Sequence, residues 1–350
     1  PISAAVRADQ YDLVDRLLAL DCGPTRLEDR HLHLAVQLKN EAFVVLFLSQ
    51  GLRPPFGDYL LRLAVNLGNE AIVSLLLRYG AKPDVSPDYE RDEGYSTPLL
   101  IAATKGHAGI VRLLLDAGAS VCRRLSIVQR SRQGLYDFDQ EDITVWTESA
   151  LDLAAIWGHT DVIKVIIERD PSLVDSVAGS TGCTALLYAV KNHQVAAFDA
   201  LVEAGSNLEA CDKDNDTALH IAARSPDNEP ILRTLLRRGA NKDAEGRENM
   251  TPLVVALKFE NSVATDILLA AGADVNKSLL AVSGLGNRGT AMIRTLLDHG
   301  ADANRTPAHD GSTPLHVACE KGLSENVKVL LEAGAEETAV NGEGHTPMDV

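Results

Sequence analysis

A Leu-rich phrase that ends in glycine recurs along this chain of 350 residues. Its copies are LLLRYGAKPD (75–84), LLLDAGASV (113–121), ALVEAGSNLEA (200–210), LLRRGANKDA (235–244), LLAAGADVN (268–276), LLDHGADAN (296–304) and LLEAGAEET (330–338). From Gly205 onward, successive glycines of the phrase are 34, 33, 28 and 34 residues apart. A repeat of this length predicts one small unit stacked many times, because a single unit cannot bury its own apolar faces.

A second phrase precedes the Leu-rich phrase and has the pattern of a helix start. Its copies are STPLLIAATKGH (96–107), ESALDLAAIWGH (148–159), CTALLYAVKNH (183–193), DTALHIAAR (216–224), MTPLVVALKFEN (250–261) and STPLHVACEKG (312–322). In the last copy Thr313 can cap a helix, and Pro314 takes the first helical position, where a missing N–H costs nothing. Leu315 and Ala318 then fall on one helical stripe, and Gly334 supplies the left-handed residue that ends the second helix. The sequence therefore predicts pairs of short helices.

The motif and its period resemble the ankyrin repeat, whose signature is T-P-L-H-x-A-A followed by a Leu-rich second helix. The resemblance recurs over almost the whole chain. It implies an all-α ankyrin-repeat solenoid of about ten stacked helix-turn-helix units with projecting hairpin fingers. It also implies that His316 hydrogen-bonds across repeats to threonine hydroxyls.

We expect one repeat array over residues 1–350, with an irregular start and one insertion. Residues 1–26 form a cap-like first repeat, 27–124 hold repeats two to four, 125–146 form an inserted long finger or loop, 147–340 hold repeats five to ten, and 341–350 begin a truncated repeat. Residues 346–350 resemble the start of a further helix, so we expect a piece of a longer protein. Residues 284–289, GLGNRG, are expected to form an unusually loose loop in repeat nine.

The composition favours helices and narrows the class of partner. Apolar residues make up 45% of the chain but aromatic residues only 4%, which suits helices packed through small side chains. The 33 basic and 49 acidic residues give a net charge of −16, which disfavours nucleic acid and anionic membranes as partners. The five cysteines are dispersed, and we find neither a signal peptide nor an apolar run of membrane length. These features predict a monomer in the cytoplasm or the nucleus.

No sequence pattern indicates catalysis, a cofactor or a metal site. The chain lacks the phosphate-binding loop, the G-x-S-x-G elbow, the HExxH motif and a dinucleotide fingerprint after a strand. His31 and His33 are two residues apart, so on a helix they point to different faces and are not expected to bind a metal together. We predict that the protein is not an enzyme. A small-molecule or catalytic groove is a remote alternative, which a deep closed pocket with titratable groups would support.

The family resemblance implies where a partner would bind. Its exposed concave positions are the two residues before the glycine that ends the first helix, together with the finger tips. These positions are occupied here by the candidate binding residues Leu38, Leu67, Lys105, Ile156, Trp157, Lys191, Asn192, Arg224, Lys258, Phe259 and Lys321. Trp157 and Phe259 are the aromatic type found at interface hot spots, although each could instead fold onto its neighbour. The five cations form a basic stripe that would suit a partner with acidic side chains around an apolar anchor.

The insert has a basic first half and an acidic second half, RRLSIVQRSRQGLYDFDQEDITVW (123–146). It is either an elongated finger or a dedicated docking arm. Arg123-Arg124-Leu125-Ser126 matches a basophilic kinase pattern, which makes Ser126 a candidate phosphorylation site. The whole sequence favours a scaffold or adaptor that binds another protein or peptide through the groove and finger tips. The alternative is a recognition or sensor segment of a larger multidomain protein.

Overall fold

The structure, a computed structural model, describes residues 2–19, 27–52, 58–84, 97–121, 126–128, 144–146, 149–177, 181–306 and 310–350. The chain divides into two compact units, which we call unit 1 (residues 1–180) and unit 2 (residues 181–350). Both consist of consecutive pairs of short helices. The all-α repeat architecture predicted from the sequence is therefore confirmed, while a single array over the whole chain stays a prediction.

Unit 1 contains five helix pairs in its described residues. They are α1 (Ile2–Arg7) with α2 (Tyr11–Ala19), α3 (Asp29–Gln37) with α4 (Glu41–Ser49), α5 (Asp58–Asn66) with α6 (Glu70–Arg78), α7 (Pro98–Lys105) with α8 (Ala108–Asp116), and α9 (Ala150–Ile156) with α10 (Thr160–Arg169). Each first helix contacts the first helix of the next pair, and each second helix contacts the next second helix. This stacking buries the apolar faces that one pair alone would expose.

The insert returns on itself as a short ribbon. Strands β1 (Ser126–Val128) and β2 (Thr144–Trp146) pair antiparallel, with Ser126 opposite Trp146 and Val128 opposite Thr144. The residues between the strands and the side chain of Ser126 lie outside the described part of the chain. The choice between finger and docking arm, and phosphorylation at Ser126, therefore remain predictions.

Unit 2 also contains five helix pairs in the residues that the structure describes. They are α11 (Ala185–Lys191) with α12 (Val195–Glu203), α13 (Ala218–Ala223) with α14 (Glu229–Arg237), α15 (Pro252–Lys258) with α16 (Ser262–Ala270), α17 (Val275–Ser283) with α18 (Asn287–Asp298), and α19 (Pro314–Glu320) with α20 (Ser324–Glu332). The first helices again stack on one another in sequence order.

Threonine caps begin the regular first helices, as the sequence predicts. The Thr97 hydroxyl accepts a hydrogen bond from the Leu100 N–H at 3.2 Å, and the Thr251 hydroxyl accepts one from Val254 N–H at 3.3 Å. Each cap satisfies one of the N–H groups that a helix start leaves without an intrahelical partner. The second helices end as predicted too, because Gly334 and its equivalents adopt φ near 85°.

Small side chains bring neighbouring first helices together. Ala102 and Ala103 in α7 and Ala154 and Ala155 in α9 are completely buried. Their small volume lets the helix axes approach closely, so the stack is held by van der Waals contact along its length.

The family resemblance gave the wrong partner for His316. Its Nδ1 lies 2.8 Å from the hydroxyl of Thr313, which belongs to the same repeat, and its Nε2 donates to the carbonyl of His345 at 3.0 Å. His220 follows the same pattern, with Nε2 donating to the Met250 carbonyl at 3.0 Å. The bond between repeats therefore ends on a backbone carbonyl and not on a threonine hydroxyl.

Two local predictions in the C-terminal half are also wrong. Residues 287–289 are the first turn of α18, so the connection from α17 shrinks to residues 284–286. The Asn326 side-chain amide fixes that connection by donating to the carbonyls of Ser283 at 3.2 Å and Leu285 at 2.7 Å. Residues 346–350 form a turn and not a helix.

Candidate functional site

All the predicted binding residues lie where the first helices end. We call these segments the loop face: residues 37–39, 66–68, 104–106 and 156–158 in unit 1, and residues 191–193, 224–225, 258–260 and 320–322 in unit 2. The chain reverses there through a left-handed residue, for example Gly68 (φ 71°) and Gly158 (φ 75°). Lys39 (φ 56°) and Glu260 (φ 55°) take that position without the freedom of glycine.

In unit 1, direct contacts join each loop to the next. Lys39 Nζ donates to the carbonyl of Leu67 at 2.9 Å, and His159 Nε2 donates to the carbonyl of Thr104 at 3.0 Å. The ring of His107 covers Gly68 so closely that a methyl group built there would lie 2.9 Å from it. The four loops therefore follow one another in a row.

The side chains that these loops present are apolar or basic. Trp157 is 57% exposed and Leu38 is 46% exposed. Lys105 is also exposed, whereas Leu67 and Ile156 are half-buried. The exposure of Trp157 disfavours the interpretation that it folds fully onto its neighbour, since a covering role would bury the ring.

Burial and nearby charges together lower the pKa of His107. Burial lowers the pKa of His107, and the nearby cation Lys105 lowers it further. Glu70 acts in the opposite direction, while Lys39 adds a smaller contribution with the same sign as Lys105. Two lysines from different repeats thus act on one histidine.

In unit 2, the first cation of the loop face has an internal partner. Lys191 Nζ donates to the sulfur of Cys183 at 3.0 Å and to a carboxylate oxygen of Asp212 at 2.9 Å. Burial alone would lower the pKa of Lys191, but the bonds to Cys183 and Asp212 outweigh it and raise the pKa. Burial would raise the pKa of Asp212, yet Lys191 and backbone N–H donors lower it overall. The charge of Lys191 is therefore matched within its own unit.

In the next two repeats, the cation at the same position of the loop face contacts a different group. Arg224 donates to the carboxylate of Asp216, which is 1% exposed, and Lys258 Nζ lies 3.8 Å from the sulfur of Met250. Arg224 also lies over the ring of Phe259, 5.8 Å from its centroid, although that ring stays 53% exposed. Two of the five cations in the predicted basic stripe, Lys191 and Arg224, thus already have carboxylate partners.

The remaining candidates of unit 2 are exposed. Asn192 donates to the Tyr188 carbonyl of the helix that it ends, at 2.8 Å. Lys321 is exposed at the end of α19. Within the described residues of unit 2, neither Lys258 nor Lys321 has a carboxylate oxygen within 4.0 Å.

A buried polar cluster behind the loop face escaped the sequence analysis. Asp216 accepts hydrogen bonds from Arg224 and from the Arg247 N–H at 3.2 Å, while His220 hydrogen-bonds Thr217 on one side. Gly246 fits closely against both, because a methyl group there would lie 2.5 Å from Asp216 Oδ1. The signal in the sequence is an aspartate eight residues before an arginine in DTALHIAAR.

Two ladders of side-chain bonds between repeats were also missed. In the first, a side-chain amide at the start of a second helix donates to a carbonyl at the end of the first helix of the preceding repeat. Asn261, before α16, donates in this way to the carbonyl of Ala223 in α13 at 3.0 Å. In the second, an Asp, Asn or Glu side chain four residues after the helix-two glycine accepts from a backbone N–H of the next repeat. Its members accept at 2.7–2.8 Å and are Asp84, Glu209, Asp243, Asn276 and Asn304.

The loop face presents exposed side chains that a partner could contact, and the described residues show few features of a catalytic site. In the described part of the chain, no three His, Cys, Asp or Glu side chains are grouped to hold a metal ion. An open recess of about 210 Å³ lies between α8 and α10, away from the loop face, and is lined by Arg112, Leu115, Asp116, Val165, Glu168 and Arg169. None of the described helices is long and apolar enough to span a membrane.

Three curated proteins illustrate what the chain is similar to. The Ankyrin repeat and SOCS box protein 16 of Homo sapiens is 33% identical over 213 residues, which cover 57% of this chain and 46% of that protein. The B-cell lymphoma 3 protein homolog of Mus musculus is 31% identical over 272 residues, covering 76% and 50%. The Nuclear factor NF-kappa-B p105 subunit of Gallus gallus is 26% identical over 234 residues, covering 63% and 23%. The chain thus spans half or less of each relative.

Family profiles match most of the sequence. The profile of ankyrin repeats in three copies matches residues 32–124, 122–212 and 200–278, and a second profile, of ankyrin repeats in many copies, matches residues 296–350. These matches contain most of α3, the helices from α4 to α16, and the pair α19 and α20. Together with the capped helices and the closing glycines of each repeat, they show that the chain belongs to the ankyrin-repeat family.

Proposed function

We propose that this chain is a scaffold or adaptor that binds a partner protein through the loop face and the finger tips. Ankyrin repeats generally mediate protein–protein interactions. The observation that carries the proposal here is the exposure of Trp157, whose large ring lies on the loop face and is 57% exposed. Exposed aromatic residues of this kind supply much of the binding energy at interfaces.

Preorganisation of the backbone supports the same proposal. The loops of unit 1 are bonded to one another, and the finger bases are fixed by the ladder of Asp, Asn and Glu side chains. A surface that is already ordered loses little conformational entropy when a partner binds. The proposal gives the chain no catalytic role, since the loop face offers apolar contact, cations and paired charges.

A second candidate is the recognition segment of a larger multidomain protein. It is favoured by the relatives, since the chain corresponds to only 23 to 50% of their lengths. In that case binding would still use the loop face, and any activity would belong to other parts of the protein.

Capture from a lysate of the source cells tests the proposal. The wild-type chain and the Trp157→Ala variant are used as bait, and captured proteins are quantified by mass spectrometry. We expect Trp157→Ala to reduce capture of the principal partner about fivefold or more, because truncation of an aromatic hot spot costs at least about 1 kcal/mol.

The matched control is Tyr59→Ala, since Tyr59 is 58% exposed but lies outside the loop face, at the start of α5. Circular dichroism should show the same helical content for all three proteins. Equal loss of capture by both variants, or unfolding of Trp157→Ala, would contradict binding through the loop face.

A further inference from the structure

The loop face of unit 1 differs from that of unit 2 in how its cations are used. Lys39 and Lys105 have no carboxylate oxygen within 4.0 Å among the described residues, where the ion pairs of unit 1 are Arg30–Glu28 and Arg169–Asp116. Within the described residues, the Lys39 ammonium donates to the carbonyl of Leu67 at 2.9 Å. No carboxylate in that part of the chain neutralises either positive charge.

The same loops contain no acidic residue. Their sequences are QLK (37–39), NLG (66–68), TKG (104–106) and IWG (156–158), in a chain with a net charge of −16. The carboxylate with the largest effect on the pKa of His107 is Glu70, which begins the second helix α6. The loop before these four, between α1 and α2, carries Asp9, which accepts a hydrogen bond from the Asn40 side-chain amide at 2.7 Å. A basic row without an ion pair among the described residues favours a partner of opposite charge by both local attraction and steering.

Apolar side chains alternate with these cations. Leu38 and Trp157 are largely exposed at the two ends of the row, and Leu67 lies between them. The row crosses four packed first helices, so at 8–10 Å for each step it is about 30 Å long. An α-helix of about 20 residues, with a rise of 1.5 Å per residue, has the same length.

We propose that the loop face of unit 1 binds a helical segment of about 20 residues in which acidic side chains flank a row of leucine-type side chains. This inference rests on the proposed function and specifies its partner. The apolar row of the segment contacts Leu38, Leu67 and Trp157, and its carboxylates pair with Lys39 and Lys105. The cations of unit 2 contribute less, because Lys191 and Arg224 are held by their own carboxylates.

Fluorescence anisotropy with labelled synthetic peptides tests this inference. The probe is a 20-residue amphipathic helix with Leu on one face and Glu beside it. Matched peptides replace every Glu by Gln, every Glu by Lys, or every Leu by Ala. We expect the Leu/Glu peptide to bind the wild-type protein at least about tenfold more tightly than each of the other three, with an affinity that falls as salt is raised.

Protein variants locate the site. Trp157→Ala should weaken the Leu/Glu peptide about fivefold or more, and Lys105→Ala together with Lys39→Asn about threefold to tenfold. Asn is chosen because it tolerates the left-handed backbone at Lys39. The control Lys164→Ala removes an exposed cation of α10, outside the loop face, and should leave the affinity unchanged.

Several results would overturn the inference. Equal affinity for the Glu and Gln peptides would remove the electrostatic argument, and a loss from Lys164→Ala as large as that from the loop-face lysines would show that the site is not on the loop face of unit 1. Displacement of the peptide by a 20-nucleotide single-stranded oligonucleotide would indicate a polyanion site instead. If the peptides fail while lysate capture still depends on Trp157, the partner chemistry is wrong but the proposed function stands.

Discussion

Replacing Gly246 by alanine should destabilise unit 2, because the added methyl group would lie too close to the side chains of Asp216 and His220. The new methyl group would lie 2.5 Å from Asp216 Oδ1 and 2.8 Å from His220 Nε2. The first distance is about 0.9 Å short of the 3.4 Å at which ordinary contact begins. Neither neighbour has room to move, because Asp216 is 1% exposed and His220 is completely buried.

The cost follows from what those two groups hold. Shifting Asp216 weakens its hydrogen bonds to Arg224 and to the Arg247 N–H, and bonds to a charged group contribute about 1.5–3 kcal/mol. Overpacking of a dense interior costs about 1–3 kcal/mol. Since the two effects share the same displacement, we expect the free energy of unfolding to fall by about 2–4 kcal/mol in total. Urea denaturation followed by circular dichroism measures the loss, and hydrogen exchange of the α13 and α15 amides locates it.

Gly286→Ala is the matched control. The angle ψ is −149° at Gly286 and −148° at Gly246, while φ is −56° and −98°, and no heavy atom lies within 4 Å of a methyl group built at Gly286. The control therefore lacks the steric contact and reports a backbone cost, which we expect to be about 1 kcal/mol. Equal losses in the two variants would show that the backbone conformation matters and the contact does not. A neutral Gly246→Ala would refute the tight packing of Asp216 and His220.

Three further predictions concern other parts of the chain. Burial lowers the pKa of His220, so near the usual histidine pKa of about 6.5 the unfolded chain binds more protons than the folded chain does. The free energy of unfolding should therefore fall as the pH drops from 7 to 5. In urea titrations at each pH, His220→Gln should make that fall smaller. Asn261→Ala should lower the free energy of unfolding by about 2–3 kcal/mol, because it removes a helix cap and the hydrogen bond to the Ala223 carbonyl. In the same assay, the control Asn192→Ala should cost less than about 1 kcal/mol, because Asn192 is exposed. Replacing residues 129–143 by Asn-Gly should leave a folded protein with unchanged helical content. The reason is that Val128 pairs with Thr144, so a two-residue turn can connect the two strands. A melting point lower by more than about 10 °C would show that the removed residues complete the core.

The features that the sequence predicted correctly depend on local physics. Thr313 caps its helix through a bond to an N–H three residues on, and Gly334 ends the second helix through its own φ. Each such signal acts within one turn of backbone, so it can be identified without knowing what lies next to it. The repeat then multiplies the same signals and makes the helix pairs predictable along the chain.

Several of the features that were missed or wrong join different repeats. The acceptor of His316 is 29 residues away, and Lys191 and Asp212 are 21 residues apart. Such pairings depend on how one repeat sits on the next, which no local pattern specifies. The same holds for residues 284–286, where glycines suggested a loose loop but Asn326, from a later helix, ties the connection down. Local composition predicts mobility only where no distant partner intervenes.

The end of the first helix is constrained differently in the two units. In unit 2, Lys191 and Arg224 bind carboxylates that are almost completely buried, so removing either cation would leave an uncompensated charge in the interior. In unit 1, the loops are held by backbone carbonyls and histidine rings, and Leu38, Lys105 and Trp157 remain exposed. Substitutions at these three positions cost little stability, because packing does not depend on them. A repeat protein can adapt to a particular partner only where packing leaves the residue type open, and the exposure of these three side chains leaves it open at those positions of unit 1.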